Sequence, residues 1–165
     1  MKFYFGMVTF FLSAITYCES IADGKNTPLS HYVFIERSGF QVLPQWENVL
    51  SHSGSDLDVM LNCSSGETVC SVGLVQGWQD IVSSLQKEQI KDSIYRVNAY
   101  VNQWTEVSDI QNWDEEDYWA SPLEFLMKSG DSEDYAIFKY FTLRAIGIPE
   151  EKMKLVYMQD SVRNS

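Results

Sequence analysis

The chain has 165 residues, of which 45% are hydrophobic and 14% aromatic, and its formal net charge is −11. This composition is typical of a globular protein, and the length predicts one domain with a sizeable core. The acidic balance argues against nucleic-acid binding, which needs a basic surface to replace the counterions of phosphates. It favours a cation such as calcium, or a basic partner.

The first 22 residues have the pattern of a secretory signal peptide. Lys2 supplies a positive charge, and residues 3–17 form a largely apolar run without charge. Residues 20–22 read Ser-Ile-Ala, with small side chains placed for cleavage after Ala22. The run is shorter than the ~20 residues that a membrane-spanning helix needs, which argues against a membrane anchor. We therefore predict a periplasmic or secreted location and a mature domain of residues 23–165 without a stable span.

Cys63 and Cys70 are the two cysteines of the predicted mature chain, and they flank a polar stretch of six residues that can turn. In an oxidising compartment, a disulfide between them would close this short loop. Two free thiols are the alternative. A zinc site is not expected, because His52 is the one further good ligand in the neighbourhood.

Apolar spacing predicts helices in the middle of the chain. Pro44 begins a helix whose apolar residues reach Leu50, whereas residues 51–58 are rich in Ser, Gly and Asp and are predicted as a loop. Two further stripes recur at helical spacing and predict two core-facing helices. The first stripe comprises Leu74, Trp78, Ile81, Val82 and Leu85, and the second comprises Ile90, Ile94, Val97, Val101 and Trp104.

Residues 105–116 are polar and acidic and are predicted as a loop. Ser121 and Glu124 then have the spacing of a capping box, and Pro122 stands at the first helical position. A helix is therefore predicted to begin here. It must be short, because residues 129–130, Ser-Gly, end it.

A further helix is predicted to begin near residues 131–133 and to end at Ile146. Gly147 supplies the C-terminal stop, and Pro149 follows it. Residues 154–158 are predicted to form one β-strand at the end of the chain.

Ser132 places a small side chain with a nucleophilic atom at the amino end of this long apolar helix. A cysteine there would gain thiolate character from the helix dipole, but a serine hydroxyl needs an adjacent general base. The two histidines of the chain, His31 and His52, lie far upstream in the sequence. From the residues alone, Ser132 is therefore predicted to be a helix cap.

Asp131, Glu133 and Asp134 surround Ser132 and have two interpretations. Acidic residues in the first turn interact favourably with the helix dipole, and this alone explains them. A calcium site is the other interpretation, but calcium takes six to eight oxygen ligands and one short segment is not a cage. Both interpretations remain open at the level of these residues.

Six ordered motifs resemble the bacterial transglutaminase-like cysteine peptidases. They are VNAYVN at 97–102, WDEEDYWASPLE at 113–124, GDSEDYA at 130–136, KYF at 139–141, LR at 143–144 and GIP at 147–149. The resemblance implies an α+β fold of the papain/transglutaminase-like type. This chain would contain mainly the helical half with a terminal β-strand and would lack the C-terminal sheet half.

The same resemblance implies a hydrolase site. In the family a helix-start cysteine attacks a peptide carbonyl, a histidine moves the proton, and an aspartate orients that histidine. The best-understood members are calcium-dependent periplasmic proteases that cleave a surface adhesin, control biofilm release and are restrained by an inner-membrane receptor of a cyclic dinucleotide. An adhesin-type substrate, such a receptor, and calcium at Asp131 and Glu133, which flank the nucleophile position, are therefore implied for this chain.

The chain departs from the family pattern at the nucleophile itself. Ser132 stands where the family has cysteine, Asp114 where it has glycine, and Ser121 where it usually has threonine. The catalytic histidine and aspartate of the family have no counterpart in these residues. We therefore expect a fragment or a catalytically inactive copy of a cysteine peptidase. A non-catalytic calcium- or partner-binding periplasmic protein and a secreted structural domain are the alternatives.

Overall fold

A computed structural model of the chain describes residues 43–63 and 73–155, together with the backbone of two short strands. The predicted signal peptide, residues 1–22, lies outside the described residues. Within the described part, no helix has the length and apolarity that crossing a membrane requires. The helices in chain order are α1 (Pro44–Asn62), α2 (Leu74–Leu85), α3 (Ile90–Val101), α4 (Asp109–Trp113), α5 (Pro122–Lys128) and α6 (Ser132–Ala145), followed by the 3₁₀ helix Glu150–Lys152.

The two strands, β1 (Tyr32–Phe34) and β2 (Met158–Asp160), pair in an antiparallel ribbon. The strand predicted over residues 154–158 is not confirmed, because Leu155 still lies outside any strand and β2 begins at Met158. Residues 156–157 between them lie outside the described residues. Two strands of three residues each do not make a sheet half, so the α+β class stays a prediction. The described part is mostly helical.

The loop predicted over residues 51–58 is wrong, because α1 runs through it without a break. Ser53 and Met60 are buried and continue the face that the first turns of the helix pack against the core. The serines do not interrupt the helix, since their hydroxyls bond to carbonyls of the preceding turn, as Ser55 does to His52 at 2.8 Å. Tertiary packing thus outweighs the low helix propensity of this segment.

The two apolar stripes predicted for α2 and α3 are confirmed as core. Trp78, Val82 and Leu85 of α2 and Val97 and Val101 of α3 are at most 2% exposed. The other stripe residues are partly buried at the edges of the same core and comprise Leu74, Ile81, Ile90, Ile94 and Trp104. The helical periodicity of the sequence therefore predicts the buried faces of α2 and α3 correctly.

α6 is the most enclosed of these helices, with nine of its fourteen residues buried. Phe138 stacks on Phe125 of α5 with ring centroids 4.8 Å apart, and Thr142 accepts a hydrogen bond from the indole nitrogen of Trp78. The helix ends at Ala145, one residue before the predicted end at Ile146, and the predicted stop Gly147 follows with a φ of 96° that suits glycine. A helix so enclosed places the polar residues of its first turn in a buried environment.

Candidate functional site

Both α5 and α6 begin with a capping box. At α5 it consists of Ser121 and Glu124, as predicted, and the backbone N–H of Ser121 donates to Glu124 Oε2 at 2.8 Å. At α6 it consists of Asp131 and Asp134, and the backbone N–H of Asp131 donates to Asp134 Oδ2 at 3.3 Å. Ser132 is the first residue inside the helix, so the prediction that it is the cap is wrong. Asp131 takes the cap because its backbone is extended and its carboxylate accepts from the first turn.

Gly130 allows the backbone to pass close to the side chain of Asp134 just before α6 begins. A Cβ at this position would lie 2.6 Å from the Cβ of Asp134, nearer than real Cβ atoms approach. The carbonyl oxygen of Gly130 accepts a hydrogen bond from Val107 N at 3.0 Å. The missing side chain leaves room for the carboxylate of Asp134, which accepts from Ala120 N at 2.7 Å.

Ser132 lines a cavity of about 340 Å³ at the first turn of α6. The other lining residues are Asn102, Trp104, Glu106, Tyr135 and Lys139. Ser132, Tyr135 and Lys139 follow one another at steps of three and four residues and therefore share one face of the helix. The hydroxyl of Tyr135 donates to the carbonyl of Trp104 at 2.7 Å and joins the two walls. The predicted nucleophile position thus faces a cleft.

The cleft contains no histidine among the described residues. The hydroxyl of Ser132 donates to Glu133 Oε2 at 3.2 Å. His52 lies on the exposed side of α1, where its Nδ1 is 2.9 Å from the carbonyl oxygen of Asn48. His31 lies outside the described residues. The described part therefore places no general base of the family type beside Ser132.

A group of carboxylates, termed the acidic cluster here, converges at the same helix start. It comprises Asp109, Asp117, Asp131, Glu133 and Asp134. Carboxylate oxygens of Asp109, Asp131 and Asp134 lie within 4.8 Å of one another, and so do those of Asp109, Asp117 and Glu133. The residues come from α4, from the loop before α5 and from the start of α6. This spacing of oxygen ligands is one that could hold a metal ion.

Two buried oxygens of the acidic cluster have no hydrogen-bond partner within residues 43–63 and 73–155. One is Oδ1 of Asp109, a residue that is 3% exposed and whose Oδ2 accepts from Tyr118 N at 2.9 Å. The other is Oδ1 of Asp131. Buried oxygens without donors are costly. These carboxylate oxygens therefore form a set of ligands that fits a cation.

Burial raises the pKa values of the acidic cluster. It raises the pKa of Asp109 to about 6 and that of Glu133 to about 9, and the nearby carboxylate of Asp131 adds to both shifts. The pKa values of Asp131 and Asp134 are also raised, again mainly by removal from water. A bound cation would oppose these shifts, because it favours the charged carboxylates.

Asp117 accepts hydrogen bonds from two side chains, one to each of its carboxylate oxygens. Gln45 of α1 donates through Nε2 to Asp117 Oδ2 at 2.9 Å, and the indole nitrogen of Trp119 donates to Asp117 Oδ1 at 3.0 Å. These bonds connect α1 to the loop before α5. The loop therefore presents a fixed carboxylate to the start of α6.

The structure brings Asp131 and Glu133 into the acidic cluster, but calcium at these residues stays a prediction. Asp109 and Asp117 were missed by the sequence analysis, which assigns a loop to most of their segment. The predicted loop is wrong at α4, which is a short helix. Its capping box begins at Ser108, and this spacing could have predicted the helix start. Nothing local in the sequence indicates that Asp109 packs against α6, since the contact joins distant segments.

Cys63 directly follows α1 and is disulfide-bonded. Cys70 lies outside the described residues, so the bridge between the two stays a prediction. Cys63 does not line the cavity at Ser132. Its position is thus consistent with a structural role.

The model of the bacterial transglutaminase-like cysteine proteinase family, BTLCP, matches residues 59–164. The chain belongs to this family. The matched region includes Ser132, the cavity beside it and every member of the acidic cluster. The site described above is therefore built from residues of the family domain.

Three solved structures of LapG from Legionella pneumophila are similar to the chain, one of them described as EGTA-treated and another as calcium-bound. The identities are 27%, 27% and 26%, and the TM-scores are 0.46, 0.45 and 0.45. Each comparison covers 64% of this chain and 62%, 61% and 62% of the LapG chain, so this chain spans about three fifths of those structures. No curated protein matches it in sequence.

Proposed function

We propose that this chain is a calcium-binding member of the cysteine peptidase family that has serine at the nucleophile position and does not turn over peptide substrates. The observation that carries the proposal is the acidic cluster, with two unpartnered buried oxygens in the described part, next to Ser132. Calcium would neutralise these carboxylates. The start of α6 would then be held against α4 and the loop before α5.

Asp109, Asp131, Glu133 and Asp134 are the residues that would bind the ion, with Asp117 as a further ligand. Calcium is favoured over softer metals because these residues offer carboxylate oxygens, whereas zinc and copper select nitrogen and sulfur ligands. It is favoured over magnesium because ligands from three separate segments suit a large, adaptable coordination shell. The family resemblance supports the same metal.

Ser132 is the reason why turnover is not expected. A helix dipole helps to ionise a cysteine thiol but not a serine hydroxyl, which needs a base to remove its proton. The hydroxyl of Ser132 donates to Glu133, and no histidine of the described part lies in the cleft. Changes to a catalytic triad typically cost orders of magnitude in rate.

The cleft is proposed to keep a binding role. We infer that it engages a protein of the surface-adhesin type in the periplasm without cleaving it, and that biofilm release is the process concerned. An inner-membrane receptor of a cyclic dinucleotide is the second proposed partner. The family resemblance supports both partners, the cavity beside Ser132 supports the first, and the signal-peptide pattern of residues 1–22 supports the location.

Calcium binding is tested by titration calorimetry on the full chain after treatment with EDTA. We expect Asp109→Asn to lower the calcium affinity at least about tenfold. Asp109 belongs to both sets of three carboxylates that lie close together, so the change removes a charged ligand from each set. Asp92→Asn, an exposed acidic residue on α3, is the matched control and should leave the affinity unchanged. A flat titration of the unmodified chain would discard calcium.

Turnover is tested by incubating the chain with an adhesin-type substrate in the presence of calcium. We expect no cleavage, and we expect Ser132→Cys not to restore it, because the described part places no base at this position. Cleavage that disappears in Ser132→Ala would overturn the inactive assignment. That result would leave the proposed calcium site untouched.

A further inference from the structure

The cavity beside Ser132 is lined by a lysine that forms no ion pair with any of the described residues. Lys139 lines this cavity, and its side chain is partly buried. Among the described residues, Arg96 and Glu88 form an ion pair, whereas no carboxylate lies within ion-pair distance of Lys139. Its Nζ lies 5.8 Å from the centroid of the Tyr135 ring. The ammonium group is therefore accessible to a ligand in the cleft.

The surroundings of Lys139 favour an anionic ligand. Removal from water lowers the pKa of Lys139, so the charged form lacks the solvation and the pairing that usually stabilise it. The chain has a net charge of −11, so a positive group in the cleft is a local exception to its acidic character. An anion that enters the cleft would supply the ion-pair partner that Lys139 lacks within residues 43–63 and 73–155.

The charged side chains of the cleft change sign along α6. Glu106 raises the pKa values of Asp131 and Tyr135, so it lies near the amino end of the helix. Lys139 lies seven residues after Ser132, which corresponds to ~10 Å along the helix axis. The cleft is therefore negative near Ser132 and positive two turns away. Such a pair of charges orients an extended polypeptide.

We propose that Lys139 determines specificity by binding a carboxylate of the polypeptide that occupies the cleft. An extended chain rises ~3.3 Å per residue, so the acidic group would lie about three residues from the residue next to Ser132. The ligand class is an acidic peptide, with either a Glu or Asp side chain or a terminal carboxylate at that position. This inference rests on the proposed function, since it assumes that the cleft binds a polypeptide.

The test uses two alkylating peptides on the full chain with Ser132→Cys. Iodoacetyl-Gly-Gly-Glu-amide and iodoacetyl-Gly-Gly-Gln-amide differ only in charge, and mass spectrometry gives the rate at which each modifies residue 132. In the Lys139→Gln variant, we expect the ratio of the acidic probe's rate to the neutral probe's rate to fall about threefold to fivefold. This is the size of the effect of one partly screened ion pair. Lys139→Arg should keep the preference.

Lys91→Gln, an exposed lysine on α3, is the control for the general loss of a positive charge and should not change the ratio of the two rates. An unchanged ratio in Lys139→Gln, an equal fall in Lys91→Gln, or no modification of residue 132 by either probe would each overturn the inference. The assay needs no peptide cleavage. A failure of the inactive assignment would therefore appear in the turnover experiment and not in this one.

Discussion

The starts of α5 and α6 are built from the same motif but differ in charge. At α5, Glu124 accepts from the backbone of Ser121 and from the hydroxyl of Tyr118 at 3.0 and 3.1 Å. At α6, the place of the serine is taken by Asp131, and the place of the glutamate by Asp134. Every carboxylate oxygen at α5 thus has a donor, whereas the start of α6 combines two carboxylates in one box.

This difference separates a helix start whose carboxylate oxygens all have hydrogen-bond donors from one whose carboxylates could hold a metal ion. At α5 one half-buried carboxylate, that of Glu124, accepts from neutral donors and stabilises the helix start. At the start of α6, burial raises the pKa values of Asp109, Asp131 and Glu133, and neighbouring carboxylates add to the shifts, so their charged forms destabilise the fold when no cation is bound. The two helix starts therefore differ in the number of carboxylates that they place in a buried environment.

The largest effect is expected for removal of Asp134. Asp134 is fully buried and accepts from Ala120 N and Asp131 N, so Asp134→Ala should cost about 3 kcal/mol of unfolding free energy in EDTA. The matched change at α5, Glu124→Ala, should cost about 1 kcal/mol, because that carboxylate is only half-buried. Urea denaturation followed by circular dichroism measures both losses. Equal losses would contradict the distinction between the two starts.

The pH dependence of stability should be the next largest effect. The pKa of Glu133 is raised from 4.5 to about 9 in the folded chain, so the folded state holds protons that the unfolded state has lost. Stability without metal is thus greatest at low pH and falls as the pH rises through this window. The slope is about 1.4 kcal/mol per pH unit for one full proton.

Thermal unfolding at about pH 6 and about pH 8 in EDTA measures this slope. Calcium should flatten it, because a bound cation stabilises the charged carboxylates. Glu133→Gln removes the group with the raised pKa and should flatten the slope in EDTA. A stability that rises with pH in EDTA would contradict the prediction that the folded chain binds more protons than the unfolded chain.

The two starts also differ in how far sequence predicts them. The box of Ser121 and Glu124 is local, so its spacing was sufficient to predict α5, and helical periodicity predicted the buried faces of α2 and α3. At α6 the sequence predicts the helix start, but it does not decide between the adjacent Asp131 and Ser132, because both residue types are good caps. Asp131 competes better, since its backbone is extended.

The acidic cluster shows the limit of local patterns more clearly. Asp109 and Asp117 join the acidic cluster through packing of α4 and the loop before α5 on α6, and no spacing rule encodes a contact between such distant segments. The same limit explains the loop wrongly predicted over residues 51–58. There, burial of Ser53 and Met60 decides the structure against local propensity.

The smallest effect is expected at the cap of α5. Ser121→Ala should cost about 1 kcal/mol, because it removes the hydroxyl that accepts from the first turn and leaves the rest of the box in place. Ser121→Thr keeps a hydroxyl and should be nearly neutral in urea denaturation. Neither change should alter the calcium titration, since the start of α5 already supplies a donor for each of its carboxylate oxygens. A calcium affinity that fell with Ser121→Ala would mean that the two helix starts act as one unit, and the contrast between them would have to be given up.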